Sequence, residues 1–261
     1  RHDLVCRLLL EKSGTCRGGG GRMEGREGGI LSGGRRHGES SVTVGTFFET
    51  RGTPLGVVRG GSSRRLSPIL QLGNDLDAHW KARLEEHLGS FSVELIKSRA
   101  STIMMDRLAL SGLSSICSLL NFTLPERENH IKLFKNTRDL LNSLTSKNNW
   151  LSEYLHWEMV LLEELGFGLD LSQCVVTGSN DNLNYISPKS GSAVSTDGAG
   201  GWSKRLLPLP KSLLGFGDNM ADTIQGLTVT GYFLENKVAP ALGNRKMPAA
   251  RGRFIELLNK I

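Results

Sequence analysis

The sequence has 261 residues, 38% of them hydrophobic, and a formal net charge of +6. That length supports one large or two modest domains with real cores, and the composition is ordinary for a soluble protein. The basic balance favours an anionic partner such as nucleic acid, and no stretch approaches the 18 consecutive apolar residues of a membrane span, so the expected location is the cytoplasm, with no membrane partner.

The chain opens with RHDLVCRLLLEKSG, whose apolar run is broken by Arg7 and is followed by no small-residue cleavage site; it does not read as a secretory signal. Residues 1–22 end in CRGGGGR and contain no methionine, whereas Met23 opens a segment with strand patterning. Met23 is the expected native start, with residues 1–22 a disordered or non-native extension. The alternative is a basic arm, for which Arg7, Lys12, Arg17 and Arg22 are suitable but sparse. Four cysteines, Cys6, Cys16, Cys117 and Cys174, do not make a disulfide framework.

From residue 26 to residue 99 the pattern is β. GGILSGG, SVTVGTFFE, PLGVVRGG, LDAHWKARL and FSVELIKSR are short runs rich in Val, Ile, Phe, Trp and Thr, separated by turn-forming stretches. Five such strands suit a small barrel, in which alternate residues face inward. Val42, Val44, Phe47, Leu55, Val57, Trp80 and Phe91 are the expected interior, as an oligonucleotide-binding fold requires.

After residue 99 the period becomes helical. RASTIMMDRLALSGLSSICSLLNF predicts a first helix, PERENHIKLFKNTRDLLNSL a second with Pro125 in its first turn, and NWLSEYLHWEMVLLEELGFG a third ending at glycine. Residues 169–205 are irregular and rich in Ser, Gly and Asn. LLPLPKSLLGFG, MADTIQGLTVTGYFLENKVAPAL and AARGRFIELLNKI predict further helices. The fold class is therefore α+β: a five-stranded β-barrel over 23–99, then a mainly α-helical domain over 100–261.

WLSEYLHWEMVLLEELGFGLDLSQCVVTG, YISPKSGSAVS and RLLPLPKSLLG, together with ILSGGRRHGESSVTVGTFFETRGTPLGVVRGGSSRRLSPILQLGN, resemble the bacterial DNA repair and recombination family RecO, collinearly from Met23 to Ile261. The resemblance implies an N-terminal oligonucleotide-binding barrel, a helical bundle and a zinc-ribbon-like insert. It also implies binding of single- and double-stranded DNA, annealing of complementary strands, and loading of RecA with RecR and RecF onto DNA coated by single-strand-binding protein, at the nucleoid. Zinc-bearing relatives place two Cys-x-x-Cys pairs in the insert, because a closed structural site needs four ligands. Here Cys174 is followed by Thr177, and GSAVSTDG has no cysteine. The expectation is a degenerate ribbon with no metal and no cofactor, held by turns, side-chain hydrogen bonds and the Tyr185 and Trp202 rings. Relatives commonly carry a bulky aromatic where this chain has Gly25, and the glycine-rich start GREGGILSGG predicts poor pairing over residues 24–34.

The candidate DNA contacts are Arg35 and Arg36 in one turn, Arg51 in another, Arg59 at a strand end, and Arg64 and Arg65 in the next Gly-Ser loop, because such loops lie beside the binding face of a five-stranded barrel. Arginine pairs its planar fork with phosphate oxygens. Lys81, Arg83, Lys97 and Arg99 extend the track, or are ordinary outward positions. The alternative function is a protein-interaction module that docks the acidic, hydrophobic C-terminal tail of single-strand-binding protein. KLFKNTRDLLNSL offers Lys132, Lys135 and Arg138 beside Leu133, Phe134, Leu140 and Leu141; this is either a groove or a core face with a solvated rim. An enzyme is not expected. Glu163 and Glu164 with Asp170, or Asp218 with Asp222, have no adjacent base in a recognisable motif, GVVRGGSSRR lacks the end of a Walker loop, and His37 near Ser40 marks no nucleophile elbow.

Overall fold

The computed structural model describes residues 23–82, 88–126, 128–146, 150–216 and 219–261; the expected extension 1–22 and Arg83 lie outside them. Five strands, β1 (Met23–His37), β2 (Ser41–Phe48), β3 (Leu55–Val58), β4 (Asp75–Ala82) and β5 (Gly89–Lys97), close into a barrel in the order β1-β2-β3-β5-β4. All neighbours are antiparallel except β3 and β5. β1 serves two partners: Met23–Ile30 pair with β4, and Gly29–His37 pair with β2. The glycine-rich start expected to pair poorly is therefore paired along its length. Its glycines make room for rings. A Cβ on Gly25 would stand 2.7 Å from Trp80 Nε1, and one on Gly29 would stand 2.7 Å from the Phe48 and Thr46 side chains.

The barrel interior is Leu31, Val44, Phe48, Val58, Leu76, Ala78 and Phe91, lined further by Val42, Trp80 and Val93. Phe47 does not belong to it; its ring meets Phe134 edge-on at 5.2 Å and joins the helical core. Leu55 is 40% exposed, and Val57 is half-buried outside the interior cluster. The cause is parity. Val44 and Phe48 share one face of β2, so Phe47 points away, and Val58 fills the interior in place of its neighbours on β3.

Helices follow: α1 (Ala100–Ile103), α2 (Arg107–Thr123), α3 (Ile131–Ser146) and α4 (Trp150–Glu164). The single first helix expected from the apolar spacing is two, because Asp106 breaks it and caps α2, its Oδ1 accepting from the Leu108 and Ala109 N–H groups at 2.9 and 3.0 Å. Pro125 lies before α3, not in its first turn; its carbonyl accepts from Thr53 Oγ1 at 3.1 Å, which ties the linker to the barrel. Gly52 sharpens that contact. It adopts φ +64°, and a Cβ there would stand 2.0 Å from the Glu128 carbonyl, so only glycine fits.

The residue 169–205 region is more regular than its composition suggests. β6 (Leu183–Ile186), β7 (Ala193–Ser195) and β8 (Leu207–Pro208) form a small antiparallel sheet in the order β7-β6-β8, with α5 (Thr196–Ala199) following β7. α6 (Met220–Phe233), a π-turn at Leu234–Val238 and α7 (Ala239–Ala241) run on as one rod, and α8 (Ala249–Leu258) packs on α2. The π-turn immediately precedes the stretch containing Pro240, whose ring forbids a regular helical bond.

Barrel and helices share buried polar contacts. Ser32 Oγ and the Ser32 carbonyl bond Asn121 at 2.9 and 2.7 Å. Arg99, 1% exposed, makes a two-pronged bond to Asp75 at 2.6 and 2.8 Å and donates to the Gly73 carbonyl and to Asn142 of α3.

Candidate nucleic-acid interface

The barrel's strand pairing places one row of residues side by side. Arg35, Thr43, Val57, Ser90 and Lys81 are successive register partners across β1, β2, β3, β5 and β4. None is buried. Because the five strands close into a barrel, the row runs round it rather than across one flat face, with Arg35, Thr43 and Val57 as neighbours on the β1–β2–β3 side. Thr43 and Ser90 escaped the sequence reading, although the expected interior already held Val42, Val44 and Phe91, and alternation from these puts both outside.

At one end of this row the loops converge. The Ser62 N–H donates to the Ser40 carbonyl at 3.0 Å, which lays the Gly-Ser loop against the β1–β2 turn. Arg35 and Arg36 lie not in a turn, as expected, but in the last residues of β1, paired with Thr43 and Val42; the loop contact brings the segment carrying Arg59, Arg64 and Arg65 to that end of the β1–β2 hairpin. All five are exposed, and among the described residues none has an ion pair or a side-chain hydrogen bond. Five unpaired guanidinium groups repel one another and attract anions.

The other expected contacts differ. Arg51 sits at the far hairpin, 3.7 Å from Glu27 Oε2 and with its guanidinium 4.4 Å from the Trp80 ring centroid. Lys81 pairs with Glu24 at 3.3 Å, and Lys97 donates to Asn142 at 2.8 Å. Arg99 is not an outward position at all, being locked in the junction on Asp75. Arg83 lies outside the described residues. Arg26, which faces the same flank, is held by Asp77 at 2.6 Å and Glu94 at 3.4 Å; their carboxylates raise its pKa, and it holds Asp77 below the usual carboxylate range. The β1–β4–β5 flank is thus charge-balanced, and the arginine end is not.

The partner-docking candidates on α3 are corrected by burial. Leu133, Phe134 and Leu141 are 0% exposed and Leu140 2%, all inside the main core; Leu140 also borders a cavity of about 360 Å³ between α3 and α4, with Asn136, Asp139, His156 and Trp157. Lys132 bonds Glu163 at 2.6 Å, Lys135 stands 3.7 Å from Glu49, and Arg138 covers the Phe134 ring at 4.5 Å. The helix is a core face with a solvated rim.

The carboxylates weighed for acid–base chemistry are occupied: Glu164 by His130 Nδ1 at 3.0 Å, Glu163 by Lys132, Asp222 by the Lys211 and Ser212 N–H groups, and Asp170 by Ser172. Asp218 is outside the described residues. Among the described residues no three His, Cys, Asp or Glu side chains are arranged to hold a metal ion. In the insert, Cys174, Val194 and Ala199 form a small core backed by Leu183, Tyr185 and Leu206. Trp202 takes no part; it is 64% exposed, with Arg205 5.0 Å from its ring centroid. Burial pushes the Cys174 thiol up, but hydrogen bonds from Ser195 Oγ and N–H at 3.3 and 3.2 Å and from the Thr177 N–H at 3.4 Å outweigh it and bring it to about 6. Four positions, Cys174, Thr177, Ser195 and Gly198, converge there, and a Cβ on Gly198 would lie 2.9 Å from the sulfur. One sulfur, two hydroxyls and a glycine do not supply the donor set of a structural zinc site.

A closed five-stranded barrel of this strand order, with a cationic end and a helical domain behind it, defines the class: an oligonucleotide-binding-fold protein built onto an α-helical body. Comparison with known proteins carries this further. The family profile described as recombination protein O N terminal matches residues 23–99, and recombination protein O C terminal matches residues 104–246. The chain belongs to the RecO family. It is 51% identical over 238 residues to DNA repair protein RecO of Dinoroseobacter shibae, covering 91% of this chain and 99% of that protein. It is likewise 51% identical over 238 residues to the Jannaschia sp. protein of the same name, covering 91% and 97%, and 52% identical over 237 residues to that of Cereibacter sphaeroides strain KD131, covering 90% and 98%. No helix among the described residues is long and apolar enough to cross a membrane.

Proposed function

We propose that this chain is a non-catalytic DNA-binding mediator of recombinational DNA repair. It binds single- and double-stranded DNA, anneals complementary strands and, with RecR and RecF, loads RecA onto DNA coated by single-strand-binding protein. The observation that carries the reading is the group of five unpaired arginines, Arg35, Arg36, Arg59, Arg64 and Arg65, at one end of an oligonucleotide-binding barrel in a RecO-family chain. Unpaired exposed arginines contribute little to the fold, since they repel one another. Their energetic role is realised only when phosphates arrive and counterions leave. Strand annealing needs no chemistry from the protein, only the neutralisation of two backbones brought together, and the arginine end supplies that charge. The steps with RecR, RecF and the tail of single-strand-binding protein rest on family membership, and the buried Leu133, Phe134 and Leu141 lend the tail contact no support.

The test is annealing of complementary oligonucleotides, naked and coated with single-strand-binding protein, across a salt series. Acceleration that falls steeply with salt is expected. An annealing rate equal to that of the oligonucleotides alone at low salt would sink the reading.

A further inference from the structure

Proteins that hold single strands on oligonucleotide-binding barrels commonly stack bases on exposed aromatic rings. This barrel has none to offer. Residues 1–99 contain four Phe, Tyr or Trp side chains, Phe47, Phe48, Trp80 and Phe91. Phe47 is buried against Phe134 of the helical domain. Phe48 and Phe91 pack edge-on at 6.2 Å in the barrel interior. Trp80 packs on the same interior, with Arg51 over its ring and no room for a Cβ on Gly25 at its Nε1 edge. Apart from Phe47, which the helical domain covers, the outward positions of β2 and β3 are Ser41, Thr43, Gly45, Leu55 and Val57, none of which has a ring. The one ring beside the arginines in sequence is the small imidazole of His37.

We propose that the arginine end is a base-blind phosphodiester site. It grips the sugar-phosphate backbone through Arg35, Arg36, Arg59, Arg64 and Arg65 and leaves the faces and edges of the bases uncontacted. The inference rests on the DNA-binding reading above and adds to it what part of the strand is recognised. A strand held in this way keeps its Watson–Crick edges free to meet a complement, whereas a strand stacked on aromatic rings must be peeled off before it pairs. The exposed aromatic side chains among the described residues, Trp202 and Phe216, lie in and after the insert, not on the barrel. They are removed in the test so that they cannot stand in for a barrel contact.

The experiment compares the full chain carrying Trp202→Ala and Phe216→Ala on two oligomers of equal phosphate number, a mixed-sequence DNA strand and an abasic tetrahydrofuran strand. Anisotropy is read across a salt series. Abasic and natural strands are expected to bind within about threefold of each other with the same salt slope, because each stacked base would otherwise add a factor of about five or more. Adding Arg35→Ala, Arg36→Ala, Arg64→Ala and Arg65→Ala should weaken both strands equally. Thymines in the bound natural strand should stay as reactive to permanganate as in the free strand. Loss of more than about tenfold on the abasic strand, or protection of the thymines, overturns the base-blind site while leaving DNA binding in place. Failure of the protein to bind either strand at low salt instead overturns the DNA-binding reading itself. Unchanged binding of both strands by the arginine variant places the phosphate contacts elsewhere and overturns the arginine site while leaving DNA binding in place.

Discussion

The barrel carries arginines in two opposite environments. At the junction with the helices, Arg99 is 1% exposed and every prong is used, on Asp75, the Gly73 carbonyl and Asn142. At the open end, Arg35, Arg36, Arg59, Arg64 and Arg65 are exposed and have no protein partner among the described residues. The helical domain repeats the first kind. Glu158, 0% exposed, takes Arg251 in a two-pronged bond at 2.8 and 2.9 Å and accepts from Thr230. Burial works against the Arg251 charge, and Glu158 outweighs it and raises the pKa. An arginine surrounded by completed bonds holds the fold; one left without them is available to a ligand. Residue type does not distinguish the two, and satisfaction of the guanidinium does.

The contrast makes separable predictions. Arg99→Ala strands the buried Asp75 carboxylate and is expected to cost about 3–5 kcal/mol in denaturant unfolding, while Arg99→Leu with Asp75→Leu recovers most of that loss. An Arg99→Ala protein of wild-type stability would erase the distinction. Gly52→Ala, which drives a methyl into the Glu128 carbonyl, is expected to cost about 1–3 kcal/mol. Arg35→Ala, Arg36→Ala, Arg64→Ala and Arg65→Ala combined should leave stability within about 0.5 kcal/mol. The same variant should flatten the dependence of log affinity on log salt by roughly 2 to 3 units for single strands. Arg51→Ala or Lys81→Ala should each change that slope by less than about 0.7, since both are engaged with carboxylates in the free protein.

The smallest effects are expected in the insert. Cys174→Ser keeps a hydrogen-bonding group in the same pocket and, below about pH 6, where the thiol is largely protonated in both states, should cost about 1 kcal/mol or less in thermal unfolding. Because the folded thiol titrates near 6 and the free thiol at 9.0, its contribution is complete above pH 9 and is lost as pH falls toward 6. The variant should lose that slope. Purified protein should carry substoichiometric zinc and keep its melting temperature after chelation, and one zinc per chain by elemental analysis would contradict the donor set around Cys174. Removal of residues 1–22 should leave annealing intact; a large loss of DNA affinity would support the basic-arm reading.

Strand and helix placement was legible because it depends on local spacing. The alternation in SVTVGTFFE and the apolar stripe of WLSEYLHWEMVLLEE report their element types without help from distant residues. The insert was less legible. Its Ser, Gly and Asn content hid a three-stranded sheet, whose short strands are specified by pairing with one another and by the small core around Cys174. The α3 face was read as groove or core; contacts distant in sequence, Phe47 against Phe134 among them, bury Leu133, Phe134 and Leu141 in the core, while Leu140 also borders a cavity. For the candidate site, the loops and their arginines came from the sequence, but their lack of partners did not.

By itself the sequence determined that five strands precede a helical body, that Arg64 and Arg65 sit in a loop, and that the insert lacks the cysteines of a metal site. These follow from period, turn chemistry and ligand count, which are properties of short stretches. Tertiary structure alone decided which parity of β2 faces the barrel, that Gly25 and Gly29 are spaces for rings, that the turns of residues 38–40 and 59–65 touch, and that Arg99 and Arg65 lie in opposite environments. The physical reason is that inward parity, ring clearance and charge pairing are each set by the atom across the gap. Those atoms lie as far away in the chain as Gly25 is from Trp80, Asp75 from Arg99 and Ser40 from Ser62.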